Sequence, residues 1–425
     1  MASEDVEKTE VDDSKNDASF EAVSMPSKSN SRSSKPMDPD FSKIPDTSRL
    51  TKFIFWIVVI VVVAFLSGWV GARVETRNGA ISPQTAKEIV TSKNQLISAI
   101  VANDSPSVVS IDATGTTQSQ NIFGLSQPQQ VQSAGTGIII SSSGYILTNR
   151  HVIPAGATSV TVVLADGTTV NNVAVIGTTP QSDSLDVAIL KISNSPETLQ
   201  PAVLGDSSKV QDGDQVVAIG NALGQFQNTV TSGIISGRGR TIQAGDSAGT
   251  TSEDLQDLFQ TDAAINEGNS GGPLIATNGE VIGLNTATAS SAQNIGFSIP
   301  INDVEGIIKG VFSTGKIERP YLGVYYVAVN PSVQKQYNLT VKNGAYIPPN
   351  QSGQSSIISG SPASDAGLQP GDVITAVNGV NIDNNNSLSS LIDQNPVGTK
   401  VSLTIVRSGS TKDIPITIGQ EPNGN

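Results

Sequence analysis

Cysteine is absent from the 425-residue chain, which excludes disulfides, a thiolate nucleophile and Cys-based zinc sites. Compartment stays open on that ground, since an exported domain with a large core can do without disulfides. Histidine occurs once, as His151. A catalytic zinc centre built on two or three imidazoles is therefore excluded, and no metal or cofactor is expected. Any acid–base chemistry through histidine must run through that one residue. Positive charge is also short: 25 Lys and Arg stand against 38 Asp and Glu, a formal net charge of -13. No excess of cations exists to neutralise phosphates, so no nucleic-acid partner is expected. A Gly-x-x-x-x-Gly-Lys-Ser/Thr loop is missing too, which points away from dependence on ATP. Aromatic residues make up only 4%.

What fills the chain instead is Val, Ile, Thr, Ser and Gly. Residues 1–52 form a polar, mixed-charge tail that has too little apolar surface to order itself. Next comes an uncharged run from Phe53 to Ala72, with Trp56 and Trp69 near its two ends. It reaches the roughly 20 residues needed to cross a bilayer as a helix, and its aromatic ends suit the interfaces. A cleaved signal peptide is the rival, but its apolar core is shorter and lies nearer the start. A single-pass membrane anchor over 53–72 is expected, with the tail cytoplasmic and the remainder extracytoplasmic. Residues 73–95 read as a stalk.

From about 96 onward, short apolar runs alternate with turn signals, among them Asp166-Gly167 and Asn278-Gly279. Such spacing predicts an antiparallel barrel or sandwich. Two polar Gly/Ser/Gln-rich gaps, 114–136 and 241–252, are too long for tight turns and read as mobile loops. Val304, Ile307, Ile308, Val311 and Phe312 share one helical face. Asn302 with Glu305 fits a capping box, and Gly315 fits a C-terminal stop. After Pro320 a second, α+β unit of about 100 residues follows.

Acyl transfer at neutral pH needs a nucleophile, a base and donors for the developing oxyanion. Gly268-Asn269-Ser270-Gly271-Gly272 supplies a serine on a turn that glycines can tighten. Ser270 is the candidate nucleophile, and the amides of Gly268 and Ser270 are the candidate oxyanion hole. His151, just after a strand-like run, is the candidate general base. An aspartate entering the apolar run at Asp186 is costly to bury unless something donates to it. An imidazole N–H is such a donor and would fix the base's tautomer. Asp183, close by, competes for that role.

The order His, Asp, Ser along a β domain resembles the trypsin-like serine proteases. Seven blocks narrow this to the HtrA (Deg) family: Thr148–Ile153, Leu185–Ile192, Gly220–Gly224, Val230–Gly237, Phe259–Asn266, Gly268–Leu274 and Ile295–Pro300. The stretches Tyr321-Leu322-Gly323-Val324 and Ser361–Gly379 are similar to a bacterial-type PDZ domain. The resemblance implies a mainly β chain: a trypsin-like double β-barrel protease domain over 96–315, then a small α+β PDZ domain over 320–420, preceded by one transmembrane helix. It implies that His151, Asp186 and Ser270 form a triad and that Ile295, Gly296, Phe297 and Ser298 contribute to substrate binding. In the PDZ unit, Tyr321, Leu322, Gly323 and Val324 would capture a peptide's terminal carboxylate.

It further implies a signal-sensing loop at 241–254, ordering loops at 262–268 and 287–294, and a homotrimer. The substrates it suggests are unfolded or damaged proteins, with small aliphatic residues before the cut. Glu267 and Ala222 stand where the family often has proline, which bears on loop behaviour rather than on the chemistry. The alternative is a proteolytically silent chaperone or PDZ scaffold, which loss of a triad residue would have marked.

Overall fold

The computed structural model describes residues 47–75, 95–120, 126–193, 198–222, 226–245, 252–266, 268–288, 294–350 and 355–422. The polar tail before residue 47 and most of the stalk lie outside these. The chain divides into two compact units, 1–81 and 82–425. In the first, helix α1 (Thr47–Glu75) contains the whole apolar run from 53 to 72. Its described side chains, 51–67, are almost all exposed, with Phe53, Phe55, Trp56 and Phe65 each more than 60% so. That described stretch is shorter than the roughly 20 residues a bilayer requires. Among the described residues no helix is long and apolar enough to cross a membrane.

The second unit opens with helix α2 (95–104) and then a seven-stranded sheet. Its strands are β1 (Val108–Gln120), β2 (Ser126–Ile139), β3 (Tyr145–Thr148), β4 (Ala157–Val163), β5 (Thr169–Val170), β6 (Ala174–Thr178) and β7 (Ala188–Lys191). They run in the order β5-β4-β1-β2-β3-β7-β6. Six more strands close into a barrel, β10-β13-β12-β11-β8-β9. These are β8 (Gln215–Ala222), β9 (Phe226–Gly245), β10 (Ser252–Thr261), β11 (Pro273–Ala276), β12 (Val281–Thr288) and β13 (Gly296–Pro300). Of the two barrels expected, one is closed and the other is a half-barrel sheet. The hairpin signals hold. Gly167 and Gly279 take φ of 87° and 82°, and Asp166 and Asn278 accept the amides of Thr168 and Glu280. Side chains that bond two residues ahead at a left-handed glycine make these tight turns.

One hydrophobic cluster joins the two sheets: Ile138, Leu147 and Ile189 meet Val217, Ile219, Leu284 and Ile299. Each such burial is worth about 1.5–3 kcal/mol, so the seam is a core rather than a hinge. Helix α3 (Glu305–Thr314) closes it with Ile307, Ile308 and Val311, and Gly315 ends the helix at φ 74°. Phe312 is half exposed and tilts onto the Tyr145 ring.

Three expectations are corrected. The 114–136 gap is mostly ladder: β1 and β2 pair from Val108↔Ile138 out to Gln120↔Ser126. Likewise β9 and β10 pair from Thr261↔Ile235 out to Ser252↔Gly245, so the described residues of this gap, 241–245 and 252, are strand. Ladder bonds are made by backbone groups, so polar stretches such as these can form strands without an apolar alternation. Asn302 does not cap α3. Its side chain is spent on Ser207 N (3.0 Å) and Asp206 Oδ1 (2.9 Å), tying two loops together.

The C-terminal part has a sheet in the order β15 (Val327–Ala328), β16 (Ala345–Tyr346), β17 (Val373–Val377), β19 (Lys400–Arg407) and β20 (Ser410–Thr417). Strand β18 (Val380–Asn381) pairs with β17, and β14 (Pro320–Tyr321) pairs with β21 (Gly419–Gln420). Three short helices complete it: α4 (Pro331–Gln336), α5 (Pro362–Asp365) and α6 (Leu388–Asp393). Leu388, Leu391 and Ile392 of α6 enter its core. The other side of α6 meets the protease part through polar groups. Ser387 Oγ donates to Asp257 Oδ2 at 2.7 Å, Ser390 Oγ donates to Asp303, and Arg319 joins Asp183 (2.9 Å) to Asp393. A cleft of about 520 Å³ lies beside this junction, lined by Arg238, Arg240, Asp257, Tyr326 and Leu388 among others.

Candidate active site

Strand β3 ends at Thr148, and a single 3-10 turn, Arg150–Val152, follows. That turn puts the His151 ring at the surface, its side chain 44% exposed. Asp186 sits on the loop between β6 and β7, only 1% exposed. His151 Nδ1 lies 2.6 Å from Asp186 Oδ2, and the His151 backbone amide donates to Oδ1 at 3.1 Å. Burial pushes the Asp186 carboxyl up. The His151 imidazole, the Arg150 guanidinium and a hydroxyl bond from Thr286 outweigh it and hold the group below the usual carboxylate range. An ionised carboxylate only accepts, so the Nδ1 that faces it carries a proton. Asp183 turns elsewhere: Oδ1 accepts Leu185 N at 3.0 Å, and both oxygens receive Arg319. Of the two aspartates, Asp186 is the one in contact with His151.

Ser270 comes from the closed barrel on the turn before β11. Thr136 of β2 anchors that turn twice: its Oγ1 donates to Gly268 O at 2.5 Å and its amide to Ser270 O at 2.9 Å. Asn269 holds the approach, accepting Asn266 N (2.9 Å) and donating to Ala264 O (3.0 Å). Glycine is required here by both conformation and space. Gly268 and Gly271 have φ of 104° and 82°. A Cβ on Gly271 would sit 2.1 Å from Thr136 O and 2.3 Å from Thr148 Oγ1. The Ser270 turn is thus pressed against the sheet that carries His151.

Thr286 of β12 ties the pieces together. Its hydroxyl donates to Asp186 Oδ2 at 2.8 Å, and its carbonyl accepts Ser270 Oγ at 3.2 Å. Sequence reasoning missed Thr286, Thr136, Asn149 and Arg150. Only the last two carried a local signal, flanking His151.

The remaining expected residues are placed less uniformly. Gly296 packs so closely on Ile265 that a Cβ would lie 2.4 Å from it. Phe297 and Ser298 are buried within the barrel, and Ser298 Oγ faces Gly283. In the C-terminal part, Leu322 is in the core, and Gly323 adopts φ 80° with Ser361 where a Cβ would go. Gly323 O accepts Ile358 N at 3.0 Å, and Val324 bridges Ile357. Tyr321 is half-buried. Glu267 lies outside the described residues, as do parts of 241–254 and 287–294. Among the described residues, no group of three or more His, Asp or Glu could hold a metal.

A seven-stranded half-barrel sheet carrying a His–Asp pair and a closed barrel carrying a glycine-bound serine define a trypsin-like serine endopeptidase. The comparisons agree: residues 135–284 match the family model "Trypsin-like peptidase domain", and 355–407 match "PDZ domain". The chain is 37% identical over 344 residues to serine protease Do-like HtrA of Bacillus subtilis, covering 76% of this chain and 73% of that one. It is 37% identical over 329 residues to the periplasmic pH-dependent serine endoprotease DegQ of Escherichia coli, covering 74% and 68%. A DegP-like periplasmic serine endoprotease of Hahella chejuensis is 38% identical over 298 residues; there the chain spans 59% of the relative's length. The solved structure of the HtrA-type protease AlgW with a decapeptide aligns at TM-score 0.53 and 30% identity, covering 77% of this chain and 99% of that one. The chain belongs to the HtrA (Deg) family of trypsin-like serine proteases with a C-terminal PDZ domain.

Proposed function

We propose that His151, Asp186 and Ser270 act as one triad in an ATP-independent endopeptidase of protein quality control. The observation that carries this is the 2.6 Å contact from His151 Nδ1 to Asp186, joined through Thr286 to Ser270. In this reading Ser270 Oγ leaves the Thr286 carbonyl and attacks the scissile carbonyl carbon, while His151 Nε2 takes its proton. The amides of Gly268 and Ser270 stabilise the oxyanion. His151 then returns the proton to the leaving amine, and water resolves the acyl-enzyme by the same route. Residues 295–298 would align the substrate strand. Unfolded or damaged proteins are the substrates the family relationship favours.

The PDZ domain would bind peptide C-termini at Tyr321–Val324. The αL turn at Gly323 favours such a carboxylate nest, and the HtrA-type protease AlgW has been solved with a decapeptide. Residues 53–72 would anchor the chain, consistent with exposed apolar side chains around α1. The protease part, 96–315, and the PDZ part, 320–420, would then lie outside the cytoplasm, where the named relatives are called periplasmic. A homotrimer completes the proposal.

The test is turnover of an unfolded casein by the detergent-solubilised chain beside its Ser270→Ala variant. Cleavage that vanishes in the variant supports the reading. Cleavage by neither, even with apolar C-terminal peptides present, would leave a chaperone or PDZ scaffold.

A further inference from the structure

Three consecutive residues grip the loop that carries Asp186. Asn149 Nδ2 donates to Asp186 O at 2.9 Å, and His151 takes the carboxylate itself. Between them Arg150, only 8% exposed, reaches around the same loop. Its Nη1 donates to Thr179 Oγ1 (2.9 Å), Pro180 O (2.7 Å) and Leu185 O (2.8 Å). Those acceptors lie at both ends of the loop, so one guanidinium closes it just before Asp186. Arg150 Nε stands 4.0 Å from Asp186 Oδ1, beyond hydrogen-bonding distance, so there it acts as a charge and not as a donor.

We propose that Arg150 is a positioning residue for the triad: it clips the Asp186 loop and, as a second positive charge beside Asp186, keeps His151 a free base to lower pH. This rests on the triad reading above. The physical argument is a competition for one carboxylate. An ionised Asp186 favours the imidazolium form of His151, and a buried guanidinium beside the pair disfavours it. Among the described residues, the other groups around the pair are these. Asp183 on the same loop is paired with Arg319. Strand β12 contributes the Thr286 hydroxyl, and the turn 268–272 bears no charge among its described side chains.

His151 is the chain's only histidine, so a histidine-labelled full chain gives one imidazole carbon signal, which can be followed by NMR without any turnover. In Arg150→Gln, which keeps donors for the loop carbonyls, the midpoint of that signal should rise by about half a pH unit or more. The acid limb of kcat/KM should move with it, and kcat at the plateau should fall about tenfold with KM little changed. Arg150→Lys should restore the midpoint and part of the rate. A midpoint in Arg150→Gln that coincides with the native one overturns the proposal, even if the rate falls, because the residue would then be merely structural. Failure of Arg150→Lys to restore it does the same. Ser270→Ala turnover distinguishes the two levels: activity surviving there removes the triad reading, whereas a dead Ser270→Ala with an unmoved midpoint removes only the role of Arg150.

Discussion

Asp186 and Asp303 are 1% and 2% exposed, yet burial leads to opposite ends. Asp186 is surrounded by donors and cations: the His151 ring and amide, the Thr286 hydroxyl and Arg150. Its carboxyl is held low. Asp303, at the junction with α6, has the Ser390 hydroxyl and the carboxylates of Asp257 and Asp393 for company. Burial, then like charge, pushes it well above the usual carboxylate range, and Arg319 is too weak an offset. Asp393 is likewise pushed up to about 7, chiefly by burial, with Asp183 and Asp257 adding to it against Arg319. A desolvated carboxylate stays ionised only where the local hydrogen bonds and charges exceed its burial cost. The surroundings of Asp186 meet that condition and those of Asp303 do not.

The largest expected effect breaks the catalytic side of this contrast. Asp186→Asn should lower kcat/KM about 10⁴-fold with the fold intact, because an amide favours the wrong imidazole tautomer. A loss of only a few-fold would mean that Asp186 does not orient His151. On the junction side, Arg319→Met leaves Asp183 and Asp393 buried without their cation. It should cost about 3–5 kcal/mol, read from the urea midpoint at pH 8; an unchanged midpoint would show that the ion triad adds nothing. Thr286→Val removes one donor to Asp186 at nearly constant shape. It should reduce kcat/KM by roughly 10- to 100-fold, the cost of a buried acceptor losing its partner.

The smallest effect concerns pH. Asp393 has a folded value near 7 against an ordinary 3.8, so its contribution is fully present below about 3.8 and is lost as pH rises through 7. Asp303 acts in the same direction. Asp206, lowered to about 2, matters only in stronger acid and in the opposite sense. Between pH 5 and 8, junction stability should therefore fall with pH, and Asp303→Asn should flatten that slope. A denaturation midpoint that climbs across this range would contradict the assignment.

Much of the site was legible in the order of residues. One histidine, and a serine among glycines whose φ values demand glycine, need no tertiary knowledge to be noticed. The choice between Asp183 and Asp186 did need it. Three positions apart on one loop, they differ in which partner the fold brings, Arg319 or His151. Thr286 was invisible because its value lies in contacts 100 residues away in sequence to Asp186. The polar ribbons at 114–136 and 241–252 misled for a related reason: rich in Gly, Ser, Thr and Gln, they carry too few apolar residues to show the alternation of a strand.

By itself, then, the sequence determined the class of chemistry, the β architecture and the family, since periodicity, turn glycines and motif order are local properties. Only the tertiary structure decided which aspartate lies against His151, what fastens Ser270 to the opposite sheet, and where carboxylates are crowded together. Those outcomes depend on which desolvated groups meet, and pairing across a hundred residues is set by the fold as a whole.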